Sequence, residues 1–307
     1  MIESNEISTK INNVGSSEIE SRLLNIQRFI TRMPSFSTTV AKVLNICSNP
    51  DAAAGDLNRV ISYDPVLTGK LIKLINSAYY GLQNRVTSLT RAIIMLGINT
   101  VKNMVLSTSV LASFSGKLNI AALTIDDFWE HSLGVAVIAK AIARQQQVPM
   151  DELEEFFVAG LMHDLGKIPL INCCPELYQR ALDAAKRSRS ALRLAEIDAI
   201  GIDHCQVGYL IGAKWKLVDR VQAAILTHHD SEDDRSNTDM RIRCITGLAN
   251  QLANAFSIGS SGDADIDSAL TVRLAQDLGI DFNALARMKS GIEVEIEKAR
   301  IFLQVAA

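Results

Sequence analysis

Aromatic residues are scarce in this 307-residue sequence, 16 in all or 5% of the chain. The 48% that is hydrophobic comes mostly from Ala, Leu, Ile and Val. That mixture suits packed helices better than sandwiches or barrels. Positive charge is not in excess: 31 Lys and Arg stand against 34 Asp and Glu, a net charge of −3. No nucleic-acid partner is expected, because a phosphate-backbone binder carries a basic footprint. The five cysteines (Cys47, Cys173, Cys174, Cys205, Cys244) are an odd count without a CxxC pair. A disulfide scaffold is not expected, and a reducing cytoplasm is. Long hydrophobic runs are missing as well. VAVIAKAIA is interrupted by Lys140 and falls well below a span of roughly 20 residues. The opening MIESNEISTKINNVGSSEIE lacks the apolar stretch of a signal peptide. A protein free of the membrane is expected. There is no P-loop, no Gly-rich dinucleotide fingerprint and no GxSxG elbow.

What is present is helical periodicity. Apolar residues recur at Leu23, Ile26 and Ile30, at Val40, Val43, Leu44 and Cys47, and at Leu67, Leu71, Leu74 and Ile75. They recur again at Val101, Met104, Val105 and Leu111. Asp64-Pro65 reads as an N-cap followed by proline in the first helical position, and Gly81 and Gly97 read as segment ends. No strand-like alternation lasts six residues, so the fold class expected is all-α. Residues 1–18 read as a flexible tail and 19–115 as an N-terminal helical bundle. Periodicity lapses between Ser113 and Thr124, and 125–307 reads as a second helical subdomain packed on the first. Within it, helices are expected over 126–147, 151–165, 175–200, 204–215, 217–229, 240–257 and 288–304. Ser257–Asp265 reads as a Gly/Ser loop and 230–239 as an acidic surface loop.

The chain has only five histidines, His131, His163, His204, His228 and His229, and all five fall on apolar helix faces or helix ends. One such residue alone is most simply a satisfied core histidine. Five together are harder to satisfy, since each buried imidazole needs partners for two nitrogens and a shared metal provides for several at once. Asp164 follows His163 at a helix end, where a cation beside it removes the cost of burying its charge. Asp127 precedes His131 by four and shares its helix face. Lys167 follows Asp164 by three, placed to meet a phosphate. The donor set is mixed N and O without an obvious thiolate, which favours Fe, Mn or Zn over a Cys-rich structural zinc site.

The series His131…His163-Asp164…His204…His228-His229 resembles the HD superfamily of metal-dependent phosphohydrolases. His163-Asp164-Leu165-Gly166-Lys167, His204 with Gly208, and the His228-His229 doublet resemble its cyclic-dinucleotide phosphodiesterase branch, HD-GYP. The resemblance implies a centre of one to two divalent ions, Fe or Mn with Zn as an alternative. It implies metal ligands at His131, His163, Asp164, His204, His228 and His229, and catalytic roles for Asp164 and for Lys167 on the substrate phosphate. Asp127 holds the place of a further ligand, a Glu in that branch. Two departures stand out: Asn250 occupies the stretch where the superfamily has its last Asp ligand, and Asp230-Ser231-Glu232-Asp233-Asp234 stands where the GYP signature would be.

The first half narrows the resemblance. Met33-Pro34-Ser35-Phe36, Ile61-Ser62-Tyr63-Asp64-Pro65-Val66-Leu67-Thr68, Asn76-Ser77-Ala78-Tyr79-Tyr80-Gly81 and Ser88-Leu89-Thr90-Arg91-Ala92-Ile93-Ile94-Met95-Leu96-Gly97 are similar to the HDOD family of bacterial signalling modules. The match runs from about 23 to about 300. It implies an HD-like second half and two functional readings. One is a metal-dependent phosphohydrolase acting on a phosphate or nucleotide ligand. The other is a regulatory module that binds a signalling protein in trans. Three remaining features read as ordinary structure or stay open. Cys173-Cys174 reads as a buried pair, and Lys186-Arg187-Ser188-Arg189 with Arg193 as a solvated face. Asn76 to Gly81 reads equally as a ligand groove and as a helix end packing its tyrosines.

Overall fold

The computed structural model describes the chain apart from residues 1–2, 48, 50, 114–118, 121–122, 231–239, 264–265 and 307. The N-terminal half comprises α1 (Glu3–Arg32), α2 (Thr38–Cys47), α3 (Ala54–Ile61), α4 (Pro65–Ile75), α5 (Leu89–Leu96) and α6 (Ile98–Ser113). A short antiparallel hairpin, β1 (Asn119–Ile120) and β2 (Leu123–Thr124), leads out of it. The C-terminal half holds α7 (Ile125–Gln145), α8 (Leu153–Met162), α9 (Lys167–Cys173), α10 (Pro175–Ser188), α11 (Leu192–Ile200), α12 (His204–Lys214), α13 (Asp219–Thr227), α14 (Met240–Ala255), α15 (Ser268–Asp277), α16 (Phe282–Ala299) and α17 (Ile301–Ala306). The fold is all-α, as the periodicity requires.

Local chemistry sets many of the ends. Asp64 accepts the Leu67 N–H at 2.9 Å ahead of Pro65, and Asp203 forms a capping box with Gln206. Gly97, at φ 85°, ends α5. α1 begins at Glu3, inside the stretch expected as a tail. Two expectations need correcting. The helix expected over 175–200 is two, because Arg189 takes a left-handed conformation (φ 50°) that turns the chain. The helix expected over 151–165 stops at Met162 and a turn leads into α9. The acidic loop, from residue 231 on, lies outside the described residues, as does much of the lapse between 113 and 124.

The two halves exchange their ends. α1 lies on α9 and α12, while α17 returns to pack on α4 and α6. Lys214 seals the first of these contacts by donating to the carbonyls of Ile30 (2.6 Å) and Thr31 (2.9 Å) in the last turn of α1 and of Met33 (2.7 Å) just beyond it. Trp215 donates to the Pro34 carbonyl and stacks near Phe36, centroids 4.9 Å apart, which gives the Met33–Phe36 motif a packing role. In the second half α7 is the axis, packed against α8, α14 and α16. α8 crosses it closely enough that a Cβ at Gly160 would stand 2.7 Å from the Ala136 backbone. Among the described residues no single helix is long and apolar enough to cross a membrane, and the apolar pair α5–α6 is bent by 113°. The five cysteines are free thiols.

Candidate metal centre

Three helix ends and one helix face converge at the middle of the second half. His131 comes from α7, His163 and Asp164 from the turn after α8, His204 from the first turn of α12 and His228 from the end of α13. All five side chains are fully enclosed. The turn fits there because residue 166 is glycine: a Cβ would meet the His204 carbonyl oxygen at 1.9 Å.

The Asp164 carboxylate is the hub. Its Oδ2 faces His163 Nε2 (3.3 Å) and His131 Nε2 (3.9 Å), and its Oδ1 faces His204 Nε2 (3.4 Å) and His228 Nε2 (3.8 Å). Each of the four rings spends its other nitrogen outward. Nδ1 of His163 meets the Gly160 carbonyl at 2.7 Å and Nδ1 of His228 the Ile225 carbonyl at 2.9 Å, each three residues back at a helix end. Nδ1 of His131 meets the Ile258 carbonyl at 3.3 Å, and Nδ1 of His204 meets Glu196 Oε2 at 2.6 Å. Carbonyls and carboxylates only accept, so each Nδ1 carries a proton, and Nε2 of a neutral ring presents its lone pair to the centre.

That arrangement leaves acceptors facing acceptors. His163 Nε2, His228 Nε2 and Asp164 Oδ1 have no hydrogen-bond partner among the described residues. His131 Nε2 faces Asn250 Oδ1 at 3.0 Å, while His204 Nε2 and His229 Nε2, 3.1 Å apart, have room for one proton between them. Buried lone pairs without donors are costly, and a cation satisfies them together. Bonds of about 2.0–2.2 Å to N and O ligands imply donor atoms about 3.0–3.5 Å apart, the spacing of the shorter contacts here. The cluster divides into His131, His163 and Asp164 on one side and His204, Cys205, His228 and His229 on the other.

Burial, and then neighbouring imidazoles, hold the protons off. It lowers His131 to about 4, with His163 the next cause, and His229 to about 3, with His204 the next. His228 is lowered in the same way. Burial also opposes charge on His204, but Cys205 and Glu196 outweigh it and raise that ring. Asp164 is held well below the usual carboxylate range: burial opposes its charge, and His163 and Lys167 overcome it. His131, His228 and His229 are thereby neutral beside an ionised carboxylate, the protonation states that ligands need.

Of the residues expected at the site, His131, His163, Asp164, His204, His228, His229 and Asn250 are brought together. Asp127 is not. Its exposed carboxylate accepts the Thr124 hydroxyl at 2.6 Å and its N–H donates back to that oxygen, so it serves the start of α7. Sharing a face with His131 is not enough, because α7 extends past the cluster before reaching Asp127. Lys167 is inside but enclosed: its ammonium donates to Asp164 Oδ2 (2.7 Å) and the Ser261 carbonyl (2.6 Å). Cys173 and Cys174 stand outside both metal-ligating groups, whereas Cys205 Sγ lies 3.9 Å from His228 Nδ1. Burial raises the Cys205 pKa and keeps it a thiol.

One residue went unnoticed in the sequence, and one expected on a solvated face needs correcting. Glu196 is buried on the α11 stripe with Leu192 and Ile200; a carboxylate in an apolar stripe was the signal. Arg193 is half-buried rather than solvated, bridging Asp203 (2.9 Å) and Asp230. The Gly/Ser loop supplies the Ile258 and Ser261 carbonyls. A cavity of about 740 Å³ reaches the cluster, with His229 and Asp263 in its lining and Arg189 and Arg193 on its walls.

Comparison with known proteins places this geometry. The HDOD domain profile matches residues 33–231. The crystal structure of an HDOD domain protein from Geobacter sulfurreducens is similar with a TM-score of 0.70, 23% identity, and 92% of this chain and 99% of that one covered. A Shewanella amazonensis protein, provisionally described as a phosphohydrolase, gives 0.69, 20%, 91% and 98%. At these identities the likeness concerns the fold. Among curated sequences, a cyclic di-GMP phosphodiesterase from Pseudomonas aeruginosa is 30% identical over 111 residues, covering 33% of this chain. An uncharacterized protein of Treponema pallidum is 21% identical over 204 residues, or 66% of the chain. The chain spans 27% and 38% of the length of these two relatives.

Proposed function

The chain belongs to the HDOD domain family, and we propose that its second half is a divalent-metal centre serving a signalling phosphohydrolase. The carrying observation is the convergence of four imidazole Nε2 atoms on one carboxylate, each ring locked from behind through Nδ1. Outward hydrogen bonds of this kind fix the tautomer and orientation of metal-ligating histidines.

In this reading His131, His163, Asp164, His204, His228 and His229 hold one or two ions, with Asp164 shared between the two groups and Asn250 a neutral ligand beside His131. The N/O donor set and the protonated Cys205 favour Fe or Mn, with Zn the alternative. A bound ion supplies Lewis acidity toward a phosphoryl oxygen. The chain's own residues do the rest. Lys167 offsets the Asp164 charge and keeps one N–H beyond the two it has placed. Arg193 and Arg189 bring guanidinium groups to the cavity walls, among the carboxylates of Asp230, Asp263 and Asp267. His229 joins the cavity to the cluster.

Elemental analysis of the purified protein tests this, wild type beside His163→Ala/Asp164→Ala. One or two equivalents of Fe, Mn or Zn, lost in the double variant, are expected, together with hydrolysis of bis(p-nitrophenyl) phosphate that needs the metal. Wild type that folds without metal overturns the reading. The enclosure of Asp164, Lys167 and four histidines favours a second reading, in which the metal braces a module that acts on a signalling protein in trans. A metal-loaded protein without turnover, whose partner affinity falls when the metal is removed, would select it.

A further inference from the structure

The motif Asn76-Ser77-Ala78-Tyr79-Tyr80-Gly81 is not used by the metal centre, yet it forms one wall of a second cavity. The Asn76 side chain explains the shape of this wall: it donates to the Ile72 and Val86 carbonyls and accepts the Val86 N–H, at 2.9, 2.7 and 2.7 Å, pinning the segment in place. The tyrosines also pack inward, Tyr79 against Phe302 with centroids 5.4 Å apart. The cavity is about 690 Å³ and is closed by α7 and α16. That volume is in the range of small-molecule sites, about 300–1,000 Å³.

Its charge is one-sided. Lys140, Arg144, Arg287 and Lys298 line it, against a single carboxylate, Glu295. Lys140 is committed to Glu154 and to the Tyr79 hydroxyl (3.2 Å), and Lys298 to Glu295 (2.7 Å). Arg144 and Arg287 remain, both exposed, and neither guanidinium has an ion pair or hydrogen bond among the described residues. In a chain of net charge −3, two unneutralised guanidinium groups beside one cavity are a fork-shaped receptor for phosphate. Val137, Met288 and Ile292 supply an apolar wall.

The α16 backbone leaves space on its side of the cavity. Gly291 lies inside this helix and in the cavity lining, and a Cβ built there meets nothing within 4 Å. Glycine in a helix interior costs about 1 kcal/mol relative to alanine, and no neighbour requires it here. What its bareness does provide is room for a ligand against the helix.

We propose that this cavity is a binding site for a nucleoside polyphosphate, separate from the metal centre, with Arg144 and Arg287 on the phosphates and the apolar wall against the base. It shares α7 with His131. Lys140 follows that residue by nine positions, roughly 13 Å along the axis, and the stripe of 137, 140, 141 and 144 lies on a different face of the helix.

Calorimetric titration of the full chain with each of the four ribonucleoside triphosphates, in excess chelator, tests the assignment. Saturable one-site binding of at least one is expected. Arg144→Glu/Arg287→Glu should weaken it at least tenfold, and Gly291→Leu, which fills the cavity with a better helix former, should abolish it. His163→Ala should leave it unchanged. No saturation by any of the four overturns the proposal, as does binding that survives both cavity variants or is lost in His163→Ala. Circular dichroism of each variant confirms that the helices persist. The metal centre can fail its own test without affecting this one.

Discussion

Glu196 Oε2 stands 2.6 Å from Nδ1 of His204 and also accepts the His204 backbone N–H at 2.9 Å. One buried carboxylate thus fixes both the start of α12 and the direction in which the ring presents Nε2. The other three rings are held by backbone carbonyls, so His204 is the only one of the four whose orientation depends on a replaceable side chain.

Glu196→Gln should therefore weaken metal retention without unfolding the chain. An orienting partner of this kind is worth about 10- to 100-fold in affinity. Titration with a competing chelator measures it; retention equal to wild type would show that Glu196 does not orient the ring.

Asn250 offers His131 an uncharged oxygen at 3.0 Å. Asn250→Asp adds an anion to the same place. Metal should then be held more tightly, by about tenfold or more, while the metal-free protein becomes less stable because it buries a second carboxylate near Asp164. Chelator titration and thermal melts with and without metal read the two effects, which should have opposite signs.

The metal-free protein should lose stability as pH falls from about 6.5 toward 4. In the unfolded chain His131, His228 and His229 take up protons near 6.5, whereas in the folded chain burial delays His131 to about 4 and His229 to about 3, and lowers His228 too. The unfolded state then binds more protons across that window, so folding is favoured above it and penalised within it. His204, raised rather than lowered, acts above this window: its contribution is full below about 6.5 and is lost as pH rises. Urea denaturation of chelator-treated protein between pH 7.5 and 4.5 gives the slope, and a midpoint that does not fall would contradict this balance.

Lys214→Met should lower the melting temperature without changing metal content. It leaves the Ile30, Thr31 and Met33 carbonyls without their ammonium donor and loosens α1 from α12. The cost expected is about 1–3 kcal/mol, since the carbonyls are only partly shielded from water. Differential scanning calorimetry beside elemental analysis separates the two readouts.

The amino-acid sequence alone determined the helical class, because apolar residues at a 3.6-residue period can bury a face only as helices. It also singled out the five histidines that converge, since five on apolar faces are too costly to bury apart. At the ends of α8 and α13 it even determined the tautomers, because each ring finds the carbonyl three residues behind it. Periodicity says which residues share a face but not where along a helix its neighbours lie. Asp127 was therefore expected inside and stands outside. Only tertiary structure decided that Asn250, 119 residues from His131, lies against it. The same holds for Glu196 behind His204, and for Lys167, which turns to Ser261. Those contacts depend on how close two helices can come. Gly160 and Gly166 set that distance by having no side chain, and their consequences appear only once the backbones have met.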